Sequence, residues 1–478
     1  MKNLAIITIA LITFLIPITI KAQPPFPNGV SGINGCNLHN ENITINATYY
    51  QNTGGGVWVL PPVLVEPLKC NLYFNQPSSI FSSGSSILTS NNGRVGGNTN
   101  TTYDNNKKGA AYDGVNKGSK EIVIPLFTGN FFGQSTFVSI QNTDTSNSTS
   151  VDFTFTEQGG LSFTRPFTIA PGLTKFFDPT GDPSFISWLG SLTVKSGASN
   201  IAGVAFNYTS NNVGAYTGIS KLDNEVFVPL VRSNFANFTT GVQVASSVNI
   251  TNTVIISYSG VTYNEFFNII DPNYTCSVEA TIPPNSSITF FNGLTTPFDS
   301  VFGAGSASKV GGDCFTLGHN SFSNAGNKFL GGAIVASFNG GISSIVNDSG
   351  GNSSGIYNSF IIDDASDYIF SPLSRVEFPS GIRTGHQIQN ICSTVITVDV
   401  LYITNTDFTV VPAPTAGPFV IQPGTSATAF IPPGSGFDGW IGTFTAKTQG
   451  GERCIVGITN DQVDNFDSSV FNLIKINE

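Results

Sequence analysis

The sequence predicts an all-β protein, a tandem array of four immunoglobulin-like antiparallel β-sandwich modules of which the first lacks its opening strand. Three observations predict it. A short strand recurs as E-I-V-I-P-L at 121–126, E-V-F-V-P-L at 225–230 and D-Y-I-F-S-P-L at 367–373. Strong helix formers are scarce beside Val, Ile, Thr and Phe, and only 10% of the chain is charged, a composition that suits pleated, half-buried surfaces. Short alternating segments punctuated by Gly, Pro and Asn give roughly seven strands in about 105 residues, the spacing of a sandwich. A period of that size means an array of small units rather than one large core.

Residues 1–22 read as a secretory signal. Lys2 supplies the positive start, residues 4–20 are apolar, and Ala22 is a small residue before Gln23. Removing 22 of the 478 residues leaves about 456, and losing Lys2 and Lys21 takes the net charge from −10 to −12. No later segment is long and apolar enough for a membrane-spanning helix, so the expected location is extracellular or on the cell surface. An acidic chain without a basic run argues against nucleic acid as a partner.

The modules follow in order. Module 1 (23–118) has V-E-P at 65–67 and a degraded closing strand at 95–100. The place where its opening strand would lie falls inside the signal. Module 2 (119–222) runs through alternating segments at 136–141 and 151–155, the turn pair Pro171-Gly172, and the F-x-x-W-L-G turn at 185–190. Its closing strand ends at Asn207. Module 3 (223–364) shares Gly241 and Gln243 with Gly385 and Gln387 of the fourth. It carries Pro283-Pro284-Asn285 and F-x-x-V-F-G at 298–303, with 334–339 as the expected closing strand. A Gly/Asn-rich insertion at 311–327 and a flexible stretch at 339–355 are expected there. Module 4 (365–462) repeats the scheme with Pro423-Gly424 and F-x-x-W-I-G at 437–442. Linkers containing Ala111-Tyr112-x-Gly114 or Ala215-Tyr216-x-Gly218 join the copies. The remaining 463–478 reads as a linker and a spare strand with no module behind it.

The six cysteines fall as Cys36 and Cys70, Cys276 and Cys314, Cys392 and Cys454, each pair inside one module. An even count in an exported chain favours disulfides. Fifteen connectivities are open, and one bridge per module is the economical one.

The recurring V-P-L, G-x-Q, P-G-x-S/T and I-V-G/A-x-x-N elements resemble tandem β-sandwich repeats in secreted and surface proteins of bacteria. The missing first strand beside a spare last strand resembles donor-strand pilins in logic, not in sequence. The resemblance implies architecture and assembly rather than an activity.

Candidate chemistry is thin. Gly351-x-Ser353-x-Gly355 matches a nucleophile elbow in letters only, because no helical pattern follows it. His39, His319 and His386 lie in three different modules, too dispersed for a triad or a metal site. Asp461, Asp464 and Asp467 could offer oxygens to Ca²⁺ but lack the ligand loop. Trp188 and Trp440 could stack on sugars; they share one repeat position, where the third copy places Val301, and so read as core. Asn46, Asn207, Asn273 and Asn352 stand in glycosylation sequons. No cofactor and no enzymatic activity are expected.

The leading reading is a secreted structural subunit that polymerises head to tail, with the modules in a rod. Val470, Phe471, Asn472, Leu473, Ile474 and Lys475 of one copy would insert into the first module of the next, the alternative being that Pro24 to Asn28 supply that strand in cis. The alternatives are a surface adhesin or glycan-binding array and, third, a secreted carbohydrate-active enzyme.

Overall fold

The computed structural model describes residues 30–52, 56–73, 84–91, 93–103, 108–291, 309–312, 314, 328–350, 353–377, 381–404, 414, 416–463 and 469–476. Among these the chain is almost wholly β-strand, with two single-turn 3₁₀ helices. The strands form antiparallel sheets, most of them four-stranded, in repeated sandwich-like pairs.

The second repeat shows the plan. Its opening strand Glu121–Gly129 lies at the edge of one sheet beside Trp188–Ser196, followed by Thr149–Glu157 and Ser162–Ile169. The facing sheet runs Thr174–Phe177, Ser135–Asn142, Ile201–Tyr208, Val213–Thr217. Alternation along Thr149–Glu157 sends Val151, Phe153 and Phe155 into the core and leaves Ser150 and Asp152 outside, the period-2 pattern of a half-buried strand. Each such side chain contributes about 1.5–3 kcal/mol by leaving water.

The third repeat has the same order, widened at one edge by Lys309–Gly312. In the fourth, the two sheets touch through Val376↔Arg383, so they count as one nine-stranded sheet. The strand pairings inside it are those of the second repeat.

Sandwiches here have eight strands, not seven. The two Ala-Tyr segments expected as linkers are eighth strands, Lys108–Asp113 and Val213–Thr217, and Ser353–Asn358 is the third; each pairs with the closing strand before it. In the fourth repeat Ser469–Asn472 takes that place beside Ile455–Val463.

The recurrent proline marks a β-bulge. Pairing of the opening strand with its neighbour slips between Ile124 and Phe127, Val228 and Val231, and Ser371 and Ser374. Proline's missing N–H is harmless at a bulge. The following leucine is left without ladder partners, and the eighth strand supplies them. Tyr216 Oη donates to the Leu126 carbonyl at 2.7 Å and accepts its N–H at 3.3 Å. Tyr357 does the same for Leu230, at 2.6 and 3.1 Å. In the fourth repeat the tyrosine is Phe471, and Ser371 on the bulge itself donates to the Leu373 carbonyl at 2.8 Å.

The three disulfides join Cys36–Cys70, Cys276–Cys314 and Cys392–Cys454, each within one repeat. A cross-link of this kind restricts the unfolded chain.

The third repeat corrects the register expected for it. Its sixth strand is Lys328–Ser337 and its closing strand is Ile342–Gly350. The stretch 339–355, expected to be flexible, therefore carries the closing strand and the start of the eighth. Residues 298–303 and most of the insertion at 311–327 lie outside the described residues.

Candidate interaction site

Four equivalent turns build the contacts between repeats. Each begins with a residue whose carbonyl accepts the N–H three residues on: Glu66 to Lys69, Ala170 to Leu173, Pro283 to Ser286, Gln422 to Thr425. Proline comes second in each. The third residue, Leu68, Gly172, Asn285 or Gly424, has φ between 53° and 70°, the left-handed position of a type II turn. A buried asparagine braces three of them from behind. Asn37, Asn142 and Asn390 each donate through Nδ2 to the strand leading into the turn, at Val65, Ile169 and Ile421.

Each turn docks on a neighbouring repeat. Ser85 of the first repeat donates to the Gly172 carbonyl at 3.1 Å, and Asn52 makes paired bonds with the Thr174 backbone at 2.8 and 3.0 Å. A Cβ on Gly172 would meet the Tyr50 ring at 2.6 Å, so glycine is needed there for space as well as for φ. Ser286 of the third repeat donates to the Glu157 carbonyl of the second at 2.8 Å. Ser259 of the third donates to the Gly424 carbonyl at 2.8 Å. Finally Thr443 of the fourth donates to the Leu68 carbonyl of the first at 3.1 Å.

That last contact closes a ring. The eighth strands confirm the arrangement: Lys108–Asp113 touches Val213–Thr217, which touches Ser353–Asn358, which touches Ser469–Asn472, which returns to Lys108–Asp113. The rod expected from the sequence is not the observed shape of the chain. Its turns and eighth strands satisfy one another around a common centre.

The C-terminal segment expected as a donor for another copy lies within its own chain. Phe471 stands cross-strand from Thr459 as Tyr216 stands from Ala205. Ile474 and Lys475 pair with Phe370 and Ile369. Val470, Phe471, Leu473 and Ile476 are buried, and Ile476 packs with Phe370, Cys36 and Leu38 across the closing junction. The segment fits here because it takes the place that the eighth strand holds in the other repeats.

The first repeat is incomplete among the described residues. One of its sheets has the full order, Cys70–Tyr73, Val30–Asn37, Val95–Tyr103, Lys108–Asp113. In the other, the sixth strand Gly84–Ser90 pairs only with Ile43–Gln51, whereas Trp188–Ser196 also pairs with an opening strand. A polar node carries the same mark. In the second repeat Thr136 Oγ1 accepts from Thr128 N–H of the opening strand and donates to Asn207 Oδ1. The third has Arg232, Thr240 and Asp348 there, and the fourth Arg375, Thr384 and Asp461. The first has Ser31 and Thr101, 2.9 Å apart, with no opening-strand member among the described residues. Tyr112, in the place of Tyr216, meets the edge of Phe206 in the next repeat at 5.7 Å.

Several candidates become structural in place. Trp188 and Trp440 are buried at one core position, which Phe329 fills in the third repeat; Val301 lies outside the described residues. Neither Trp offers a face to sugar. Asp461 pairs with Arg375 rather than facing solvent, and Asp464 and Asp467 are not among the described residues. Asn207 is 2% exposed and its Oδ1 is engaged, so it cannot carry a glycan in this fold. Asn273 is exposed, Asn46 bonds to Asn91 at 3.3 Å, and Asn352 is outside the described residues. Ser353 begins an eighth strand, with no helix after it.

The histidines stay apart. His386 is buried, stacked 3.8 Å from Phe444, with Nε2 at 2.9 Å from Ser374 Oγ and Nδ1 at 3.1 Å from Thr459 Oγ1. Burial pushes its pKa down to about 3, so the ring is neutral. His39 sits in a turn, where Nδ1 accepts from Glu41 N–H at 3.3 Å; His319 is outside the described residues.

No protein-family model matches the chain, and no curated protein matches it. A solved structure titled "Crystal structure of tetra-tandem repeat in extending region of large adhesion protein" aligns over 95% of this chain and 96% of that one, at 11% identity and a TM-score of 0.09. Similarity at that level carries no inference about fold or function.

Proposed function

We propose that the chain is an exported, non-enzymatic structural protein: four immunoglobulin-like sandwich repeats that assemble with further copies by strand addition at the first repeat. The observation that carries this reading is that, among the described residues, the strand Gly84–Ser90 pairs on one side only, where the other repeats hold a buried opening strand. An unpaired edge above an apolar core is a ready template for another strand. Three disulfides suit an oxidising, extracellular compartment. Because the contact is heterologous, repeated addition grows a filament unless rotation closes it. Donation of Val470 to Lys475 in trans requires that segment to leave its own repeat, a domain exchange.

The test uses residues 23–478 and a synthetic peptide of sequence 121–129, the opening strand of the second repeat. Fibres or oligomers in negative stain that the peptide suppresses support the proposal. A chain that stays monomeric at high concentration and does not bind the peptide overturns it.

A second reading has an observation of its own. Phe132, Leu161, Phe266 and Phe267 are exposed at turn tips, and Phe267 meets Phe235 of the corresponding turn edge-on at 5.5 Å. Apolar loop tips of this kind suit adhesion to a surface or a glycan. Adhesion lost on replacing Phe132 and Phe266 by Ser, with assembly intact, would favour it.

A further inference from the structure

The four eighth strands bring one equivalent residue each to the centre of the ring. Each follows the aromatic that faces its own core: Asp113 after Tyr112, Thr217 after Tyr216, Asn358 after Tyr357, Asn472 after Phe471. All four are polar, although the strands that carry them are largely buried. They are linked in sequence around the centre. Asn472 N–H donates to Asp113 Oδ2 at 3.2 Å, Asn472 Nδ2 donates to the Asn358 carbonyl at 3.0 Å, and Asn358 Nδ2 donates to Thr217 Oγ1 at 2.7 Å.

Those bonds leave acceptors over. Asp113 Oδ1, Asn358 Oδ1 and Asn472 Oδ1 are all buried and have no hydrogen-bond partner. Buried polar atoms are nearly always satisfied, so three orphans of one kind at equivalent places point to a missing partner. All three are oxygens, one belongs to a carboxylate, and Thr217 Oγ1 adds a fourth hard oxygen close by. Among the described residues no group of three or more His, Cys, Asp or Glu could hold a metal. A centre of one carboxylate and neutral oxygens is a different class, suited to a hard ion.

We propose that the centre of the ring binds one calcium-class divalent cation through Asp113 Oδ1, Asn358 Oδ1, Asn472 Oδ1 and Thr217 Oγ1, tying all four repeats together. A single carboxylate makes the site weak, in the range that extracellular calcium fills. Asn98 stands cross-strand from Asp113 and its Nδ2 is also unpartnered; a water shared by these two groups is the competing occupant, and it has no dependence on calcium.

The experiment compares thermal unfolding and calorimetric titration of residues 23–478 in EDTA, millimolar calcium chloride and millimolar magnesium chloride. Expected is one calcium per chain and a Tm several degrees higher in calcium than in EDTA, with a smaller effect of magnesium. Asp113→Asn, which keeps shape and an acceptor, should abolish the calcium response. Asn358→Asp, which adds a second carboxylate, should tighten binding at least tenfold and so report on the site even where Asp113→Asn folds poorly. Equal Tm in EDTA and calcium with no binding heat overturns the proposal. A calcium response unchanged in both variants places the ion elsewhere and overturns it equally.

Discussion

The first and second repeats share one sheet and differ in the other. Both have the four-stranded sheet that carries the eighth strand, and both present a Pro-containing turn to a neighbour. Among the described residues only the second has an opening strand, and its consequences are local and specific: a bulge, a leucine freed from the ladder, and a tyrosine hydroxyl that takes up the freed groups. The first repeat keeps the tyrosine without the strand. The junction between repeats is thus built by the shared sheet, while the opening strand completes the individual sandwich. A repeat can lose one and keep the other.

The largest effect should come from deleting 469–478. It removes four buried apolar side chains, Val470, Phe471, Leu473 and Ile476, at about 1.5–3 kcal/mol each, and with them the closing junction. The expected outcome is a destabilised fourth repeat and a larger radius of gyration by small-angle scattering. A truncated chain that keeps its compactness and loses only the ability to assemble would show that the segment acts between copies.

A pH titration tests the core of the fourth repeat, which alone buries a histidine at this place. The folded-state pKa of His386 is lowered to about 3 from the ordinary 6.5, through burial. Its contribution is therefore fully present above about pH 6.5 and is lost as pH falls toward about 3, with a slope of up to about 1.4 kcal/mol per pH unit. His386→Gln should flatten stability over that window, measured by urea unfolding at several pH values.

Tyrosine substitutions sharpen the comparison between the first two repeats. Tyr216→Phe strips Leu126 of the partner for both its N–H and its carbonyl, and should cost about 1–3 kcal/mol. Tyr112→Phe, at the same place in a repeat without an opening strand, should cost less than about 1 kcal/mol. Equal losses in chemical denaturation would mean that Tyr112 also holds a strand. The smallest effect is expected for Thr443→Val, which removes one hydroxyl bond to the Leu68 carbonyl at the closing junction, about 0.5 kcal/mol. Faster limited proteolysis of the strands that form this junction would report it.

Much of this was legible in the chain. Pro125, Pro229 and Pro372 announce the period and an irregular edge strand, because proline has few other uses in a sheet. The cysteine pairs follow from that period. The eighth strands of the first three repeats were not legible, whereas that of the fourth reads as a spare strand: five residues such as Val213–Thr217, closed by Gly218, are too short for alternation to separate strand from linker. In the third repeat, Ile342–Gly350 is so rich in Ser, Gly and Asn that it reads as a flexible stretch. Ring closure left no sequence signal, since its contacts run from hydroxyls to backbone carbonyls, and a carbonyl carries no side-chain identity.

Leu68 and Thr443 are 375 residues apart in the chain. Three of the four junctions join consecutive repeats and can form as each pair is completed. The fourth joins the first repeat to the fourth, and its strand Ser469–Asn472 follows the three other repeats in the chain. Until that strand arrives, the first and fourth repeats each present an unmatched face, with the exposure that makes partly assembled arrays prone to pair with other chains. Contacts of such separation are slow to form, so closure is the step most open to competition from a neighbouring molecule. Once made, it covers the faces of the first and fourth repeats that a linear array would leave open.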